Sequence, residues 1–367
     1  MKIVIFAGGS GRRLWPISRQ HSPKQFESII GSQSTVQLAV DRVIAHYGAE
    51  NIFISTNARY YPIIREQLPQ LPGTNLIAEP VRRDLAPAVG LAMAHLAHSL
   101  PAGALEEDEP VAILWGDNYM SDVPIFQRVL ATAEQLLRER KAEILFIGET
   151  PRFANNNLGW IGLGPKQGEL EGAPYFAFES WTYRPALAVC QQMFASGRYV
   201  WNTGYFVTTI GFVRSLYREH RPGMSQKLAQ IQAAIGQPHY EQILNELYPT
   251  LESVSFDDAI LTHVSPAQAL VLHGKMGWSD PGTLYALKEA INPDTNSNAE
   301  HGLVLAHQSR DCLLYNYEEG KLLAVIGLEG MVVVNTEDAI LVVHKDQVPL
   351  VRQMVDSLEG TELEKYS

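Results

Sequence analysis

Residues 6–26 read FAGGSGRRLWPISRQHSPKQF and directly follow the apolar run Lys2-Ile3-Val4-Ile5-Phe6. The run predicts a first β-strand, and the glycines after it predict a tight turn at its carboxyl end. Glycine allows positive φ and close approach of the backbone to a ligand. Successive backbone N–H groups in such a turn form a concavity for anions, and Arg12, Arg13 and Lys24 add charges that suit phosphate. The bare residues leave two readings open, a phosphate-binding loop or a strand-to-helix turn with solvated arginines. The spacing excludes two common loops, because neither G-x-G-x-x-G nor G-x-x-x-x-G-K-[ST] fits Gly9-Ser10-Gly11-Arg12-Arg13-Leu14. A standard dinucleotide fold and a Walker-type nucleotide hydrolase are therefore not expected.

The remainder of the chain sets the context for this loop. Its 367 residues, 46% hydrophobic, suffice for one large domain or a large and a small one. A net charge of −11 and the lack of a long basic cluster argue against a nucleic-acid partner. Cys190 and Cys312 lie far apart without metal-ligand spacing, which suits two reduced thiols in a cytoplasmic protein. The N-terminal apolar run is too short for a secretory signal, and no run of 18 or more apolar residues predicts a membrane span.

Strand-like and helix-like segments alternate through the first two-thirds. Asn51–Ser55, Asn75–Ala78, Val111–Trp115, Glu143–Gly148 and Val200–Thr209 read as strands. Tyr60–Leu68, Ala86–Ser99 with Asp84 as its N-cap, Val123–Lys141, Leu187–Ser196 and Phe212–Ile235, broken near Pro222, read as helices. The rhythm predicts an α/β fold with a mostly parallel sheet covered on both faces. Ligands of such sheets bind beyond the carboxyl ends of the strands, where both the glycine loop and Asp117 fall. Beyond Ile291 the pattern changes. A polar linker, Asn292–Asn298, precedes short strands at turn spacing and a last helix, Val348–Leu358. A boundary near residue 290 is expected, dividing a catalytic domain, 1–290, from a small β-rich domain, 291–367, with β-helix or β-roll character.

Several segments admit both a chemical and a bland reading. Asp117, in Trp115-Gly116-Asp117-Asn118, can ligate Mg²⁺ or cap a following element. Asp280, in Trp278-Ser279-Asp280-Pro281-Gly282, stands in a strong turn signal. Glu79, alone, is an ordinary carboxylate.

Taken together, these stretches resemble the sugar-1-phosphate nucleotidylyltransferases, in the form found in mannose-1-phosphate guanylyltransferases. The opening loop matches the G-G-x-G-x-R-L-W-P-x-S-…-P-K-Q-F signature. Trp115–Asn118 corresponds to a Pro-Ala-Asp-His stretch with its Asp retained, and Trp278–Thr283 resembles W-x-D-x-G-[ST]. Glu79–Ala88 resembles E-P-x-x-R-[ND]-T-A-P-A, with Leu85 in place of Thr. Trp201–Phe206 resembles W-N-[ST]-G-x-F, Leu158–Ile161 a glycine-aromatic stretch, and Gly330–His344 the apolar strand and V-x-T-x-D-A-[IV]-L of the tail. The resemblance covers nearly the whole chain.

One motif departs from the pattern. Phe178-Glu179-Ser180 suggests F-x-E-K-P at first sight, but about 15 residues separate that Pro from the W-N pair in the family. Counting back from Trp201 reaches Pro185, so Trp181–Pro185 takes the motif's place. Arg184 then replaces its Lys, and Tyr183 its Glu. Arginine keeps a phosphate-binding cation with different hydrogen-bond geometry.

The resemblance implies a Rossmann-like, glycosyltransferase-A-like mixed sheet and a β-helix-like tail. It implies transfer of GMP from GTP to a sugar-1-phosphate, foremost mannose-1-phosphate, with release of pyrophosphate and Mg²⁺ held by Asp117 and Asp280. Arg13 and Lys24 are implied to stabilise charge on the triphosphate. Ala7, Gly8, Gly9, Gly11, Glu79, Asp84 and Ala88 are implied to meet the nucleotide, and Gly159, Arg184 and Asn202 the sugar phosphate. A carboxylate at Glu79 suits guanine, which offers N1–H and N2–H donors side by side. The substitutions at Tyr183, Leu85 and Asn118 also admit a catalytically weak, nucleotide-sugar-binding regulator, or the same chemistry on another sugar such as a heptose-1-phosphate. No second catalytic domain, such as a fused isomerase, is expected; a homodimer is admitted.

Overall fold

The computed structural model describes residues 1–8, 14–19, 23–105 and 109–367. Gly9, Gly11, Arg12 and Arg13 lie outside the described residues. The chain divides into two compact units, and neither is one continuous stretch. The first comprises Met1–Ala7, Val40–Trp115 and Met120–Trp278; the second comprises Gly8–Ala39, Gly116–Tyr119 and Ser279–Ser367.

In chain order the strands are β1 (Lys2–Phe6), β2 (Ile52–Asn57), β3 (Leu76–Glu79), β4 (Pro110–Trp115), the two-residue β5 (Tyr119–Met120), β6 (Ile144–Glu149), β7 (Gly159–Leu170), β8 (Ala173–Tyr183), β9 (Tyr199–Thr209), β10 (Ala269–Gly274) and the two-residue β11 (Trp278–Ser279). A 9-stranded sheet of order β3-β2-β1-β4-β9-β6-β10-β8-β7 forms the first unit. β1 pairs in parallel with β2 and β4, β2 with β3, and β6 with β10, whereas β9 and β8 run against their neighbours. The fold is thus the mixed, mostly parallel sheet implied above.

Burial follows from the apolar runs. Alternate residues Val4, Phe6, Val111, Ile113, Phe146 and Phe206 enter one core with helix Leu85–His98 and helices Ile210–His220 and Pro222–Ala234. Ile3, Ile5, Ala112, Leu114, Leu145 and Ile147 are equally buried on the other face. The amphipathic helix Val123–Arg138 packs against β4, β6, β9 and β10. Strands covered on both faces read as continuous apolar runs because neither alternation is free to be polar. The predicted break at Pro222 separates two helices, and Leu187–Ser196 forms with the expected bounds.

The long β7–β8 hairpin was not expected. Glu171 (φ 49°) and Gly172 (φ 77°) form a two-residue connection with both φ positive, the geometry that matches the twist of paired strands. β9 carries an irregularity opposite β6, between Phe146 and Gly148. Near it, Gly204 sits at φ 75°, where an added Cβ would meet Trp115 Nε1 at 2.4 Å.

The second unit contains β12 (Ala299–His301), β13 (Val304–His307), β14 (Leu313–Asn316), β15 (Leu323–Ile326), β16 (Met331–Asn335) and β17 (Ile340–His344). β12, β14 and β16 stack in parallel, as do β13 and β15, and β17 closes the first stack antiparallel. Short parallel strands stacked on corresponding strands of the previous turn are the β-helix-like arrangement expected of the tail. Its interior holds Cys312, Leu314, Val325 and Val333. A second cluster joins Ala299, Leu313, Tyr315, Val332, Val334 and Leu341 to Leu14, Trp15, Ile17 and Ile29 and to helices Leu284–Ile291 and Leu350–Asp356.

Candidate active site

Lys24, Asp117 and Asp280 meet in the second unit. Lys24 opens a short 3-10 turn, Lys24–Phe26, after Pro23, and the neighbouring Gln25 and Phe26 are buried. Its ammonium lies 2.8 Å from Asp117 Oδ2 and 3.3 Å from Asp280 Oδ1. Burial lowers the Lys24 pKa, but the charges and hydrogen bonds of Asp117 and Asp280 outweigh it, so it sits above the ordinary value. Thr35 Oγ1 donates to the Gly116 carbonyl at 2.8 Å, and the buried Asn118 donates to Asp117 Oδ1 at 3.4 Å. These contacts fix the peptide before Asp117 and one oxygen of its side chain. On the other side, Gly282 N–H bonds the Asp280 carbonyl at 2.7 Å and Thr283 caps helix Leu284–Ile291. The turn signal and the metal-ligand reading of Asp280 are thus compatible, since the turn uses the backbone and leaves the carboxylate free to face Lys24.

The donor set fits a hard divalent cation. Two carboxylates a long way apart in sequence converge on one positive charge, and oxygen ligands of this kind suit Mg²⁺. Among the described residues no group of three or more His, Cys, Asp or Glu could hold a metal unaided. A cation here would complete its shell with water and substrate phosphate, the usual habit of Mg²⁺.

Among the described residues, the remaining expected ones fall in the first unit, apart from Gly8, which is exposed and has open space where a Cβ would project. Ala7 donates its N–H to Ser55 O at 2.8 Å, and its carbonyl accepts from Thr56 Oγ1 at 2.6 Å, so its polar backbone groups are already engaged. Glu79 ends β3. Its Oε2 accepts a 2.7 Å hydrogen bond from Tyr248, and burial pushes its pKa up to about 7 against the opposing effects of that bond and of Arg82. Asp84 caps helix Leu85–His98 through a 2.8 Å bond from Leu85 N–H, at φ 65° and ψ −173°. A non-glycine residue is strained in that region, and such strain concentrates at functional sites. Ala88 lies in the core with 3% exposure.

Gly159, Arg184 and Asn202 gather at one end of β7, β8 and β9. Gly159 pairs with Tyr183 and Trp160 with Trp201. An added Cβ at Gly159 would lie 3.4 Å from the Asn202 side chain, so glycine keeps this approach clear. Asn202 Oδ1 accepts from Gly204 N–H at 2.8 Å, which leaves its amide NH₂ for other partners. The glycine after Asn-Thr therefore has a mechanical basis, because the positive φ at Gly204 lets its N–H turn back onto Asn202. Arg184 is exposed at φ 43° and donates through Nε to Asn157 O at 3.2 Å.

Three features were not expected from sequence. Tyr248 is the hydrogen-bond partner of Glu79, with no local signal to reveal it. Glu149, 1% exposed at the end of β6, accepts from Met276 N–H at 3.0 Å and from Arg152 at 3.1 Å, while Arg152 donates to Trp278 O at 3.1 Å. The i, i+3 charge pair Glu149/Arg152 was the available signal. The third is the group around Asp311. It accepts from Tyr285 at 2.9 and 2.8 Å, from Lys288 at 2.9 Å and from Lys345 at 2.7 Å.

Two carboxylates gather around one lysine in a chain that also builds a mostly parallel α/β sheet. The Nucleotidyl transferase family matches residues 2–297, and the MannoseP isomerase/GMP-like beta-helix domain matches residues 302–358. Mannose-1-phosphate guanylyltransferase RfbM of Salmonella typhimurium is 31% identical over 370 residues, 99% of this chain and 73% of that protein. Alginate biosynthesis protein AlgA of Pseudomonas aeruginosa is 31% identical over 362 residues, covering 97% of this chain and 72% of that protein. The crystal structure described as mannose-1-phosphate geranyltransferase from Thermus thermophilus superimposes with a TM-score of 0.83 at 27% identity, over 98% of this chain and 99% of that one. The chain belongs to the nucleotidyl transferase family that includes the mannose-1-phosphate guanylyltransferases.

Proposed function

We propose that this protein is a mannose-1-phosphate guanylyltransferase, which transfers GMP from GTP to mannose-1-phosphate to give GDP-mannose and pyrophosphate. The observation that carries the reading is the convergence of Asp117 and Asp280 on the Lys24 ammonium. A phosphate oxygen of the sugar-1-phosphate forms the new bond to the α-phosphorus. The bond from that phosphorus to the bridging oxygen breaks, and pyrophosphate leaves with the electron pair. The nucleophile is already an anion, so no general base is required, and catalysis reduces to positioning and charge neutralisation. Asp117 and Asp280 would hold Mg²⁺, which when bound neutralises charge on the reacting phosphates. Lys24, with Arg13, would stabilise charge on the triphosphate and the departing pyrophosphate.

Gly8, Gly9 and Gly11 would bring backbone to the phosphates, and Ala7 and Ala88 would meet the nucleotide. Glu79 would accept from guanine, and Asp84 would complete that side. Gly159, Arg184 and Asn202 would receive the sugar phosphate, supported by their placement at one end of β7, β8 and β9. The domain division is proposed near residue 290, supported by family matches that end at 297 and resume at 302. A cytoplasmic setting is supported by two buried, unpaired cysteines.

The test is a panel of four nucleoside triphosphates against several sugar-1-phosphates with Mg²⁺, read by pyrophosphate release. GTP with mannose-1-phosphate is expected to turn over fastest. Binding of GDP-mannose without turnover of any pair would replace the enzyme by a regulator.

A further inference from the structure

The unit that holds Lys24, Asp117 and Asp280 also holds the whole β-helical tail. The tail reaches the segments carrying two of these residues through buried polar groups as well as apolar packing. Tyr315, 3% exposed, donates its hydroxyl to Ile29 O at 2.9 Å, and Tyr317 donates to Ser28 O at 3.2 Å. These carbonyls follow directly on the turn of Lys24, which is closed by Phe26 N–H to Pro23 O at 3.0 Å, Glu27 N–H to Lys24 O at 3.2 Å and Ile29 N–H to Glu27 O at 2.9 Å. On the Asp280 side, helix Leu284–Ile291 begins just after the aspartate, with Leu284 and Leu287 fully buried. Its Tyr285 and Lys288 both bond Asp311, which stands between Arg310 and Cys312 at the entry to β14.

Apolar packing alone tolerates sliding, whereas a hydroxyl on a defined carbonyl fixes a position. Leaving that carbonyl buried without its donor is costly. A buried hydroxyl and a half-buried one fix consecutive carbonyls, and a buried carboxylate with three donors fixes the other arm.

We infer that the β-helical tail is a brace for the reacting groups, in which Tyr315 and Tyr317 position Lys24 and Asp311 positions Asp280. The three are positioning residues that act through the backbone of 24–29 and through helix Leu284–Ile291. The inference rests on the function proposed above in treating Lys24 and Asp280 as reacting groups.

The test compares the full chain carrying Tyr315→Phe and Tyr317→Phe together with a control, Val333→Ala, which opens a cavity in the cluster of Cys312, Leu314 and Val325 and not in the cluster that holds Tyr315. Hydrogen exchange without ligand reads the brace independently of catalysis. The double variant is expected to speed exchange at the Phe26, Glu27 and Ile29 amides at least tenfold, and Val333→Ala to leave them within twofold of wild type. In turnover, the double variant is expected to lose at least tenfold in kcat and to need several-fold more Mg²⁺ for half-maximal rate, with KM for mannose-1-phosphate unchanged. Tyr317→Phe alone is expected to show the same split at smaller size, which keeps the test valid if the double variant fails to fold. Equal exchange in the double variant and the control, or kcat within twofold of wild type in active protein, overturns the brace. Faster exchange in a protein whose wild type turns over no substrate pair would retain the brace and remove the proposed function.

Discussion

The Tyr248 hydroxyl donates a 2.7 Å hydrogen bond to Glu79 Oε2 across 169 residues of sequence. It partly offsets the burial that pushes Glu79 up to about 7, so the carboxylate changes charge within the working pH range. Only the ionised form accepts from both guanine donors. KM for GTP is therefore expected to be lowest above pH 7 and to rise about tenfold by pH 6, where about a tenth remains ionised. In Tyr248→Phe, which removes a bond that favours the charged form, the rise should begin at higher pH. A pH profile of KM for GTP, flat in Glu79→Gln, checks both.

Asp280→Ala is expected to reduce pyrophosphate formation at least a thousandfold, because it removes a carboxylate proposed to hold the cation that neutralises the reacting phosphates. Lys24→Gln should lower kcat and, without a divalent cation, lower the melting temperature. The lysine relieves repulsion between Asp117 and Asp280, so their joint demand for a cation rises when it is neutralised. Calorimetric titration of the free protein with Mn²⁺ should show tighter binding in Lys24→Gln than in wild type.

Glu149 holds the chain just before Asp280 by accepting from Met276 N–H and pairing with Arg152. Burial pushes its pKa up to about 7, opposed by the Trp278 backbone, the Arg152 charge and the Met276 and Gly277 backbone. Glu149→Ala leaves the buried Met276 amide without its acceptor, while the exposed Arg152 keeps Trp278 O and solvent, and is expected to destabilise by about 1–3 kcal/mol. Glu149→Gln, which retains one acceptor, should cost less than half as much. Urea denaturation of the two variants separates these outcomes.

Asp311 is held down at about 2. Burial alone would raise it, but the hydrogen bonds from Lys345, Lys288 and Tyr285 and the Lys288 charge prevail, while the nearby Glu289 is itself raised by burial and by Asp311. A depressed carboxylate contributes stability that is complete above its unfolded value of 3.8 and disappears as pH falls through about 2. The shift corresponds to about 2 kcal/mol. Acid titration monitored by tail tyrosine fluorescence should show this loss between those values, and Asp311→Asn should abolish that part of the slope.

The sheet, most helices and the tail's character were legible because apolar runs, the Asp84 cap and the Pro222 break are local signals. The β7–β8 hairpin was missed because half-exposed strands mix polar and apolar residues, and only Glu171-Gly172 marks the turn. The pair that faces Lys24 was legible by motif, since Asp117 and Asp280 each stand in a recognisable stretch. Tyr248, Asp311 and Tyr315 were not, because a long-range hydrogen bond leaves no period or spacing in the chain. The unit boundaries were hidden for the same reason. Nothing in residues 8–39 indicates that their apolar side chains are completed by residues beyond 279.

That last feature bears on biosynthesis. Tyr315 follows its acceptor Ile29 by 286 residues. At about 5–20 residues per second on a ribosome, the segment containing Leu14, Trp15, Ile17 and Ile29 waits roughly 15–60 s for its covering strands to emerge. During that interval its apolar side chains are available to chaperones or to other nascent chains. Slow codons anywhere between the two would lengthen the exposure, whichever element they encode.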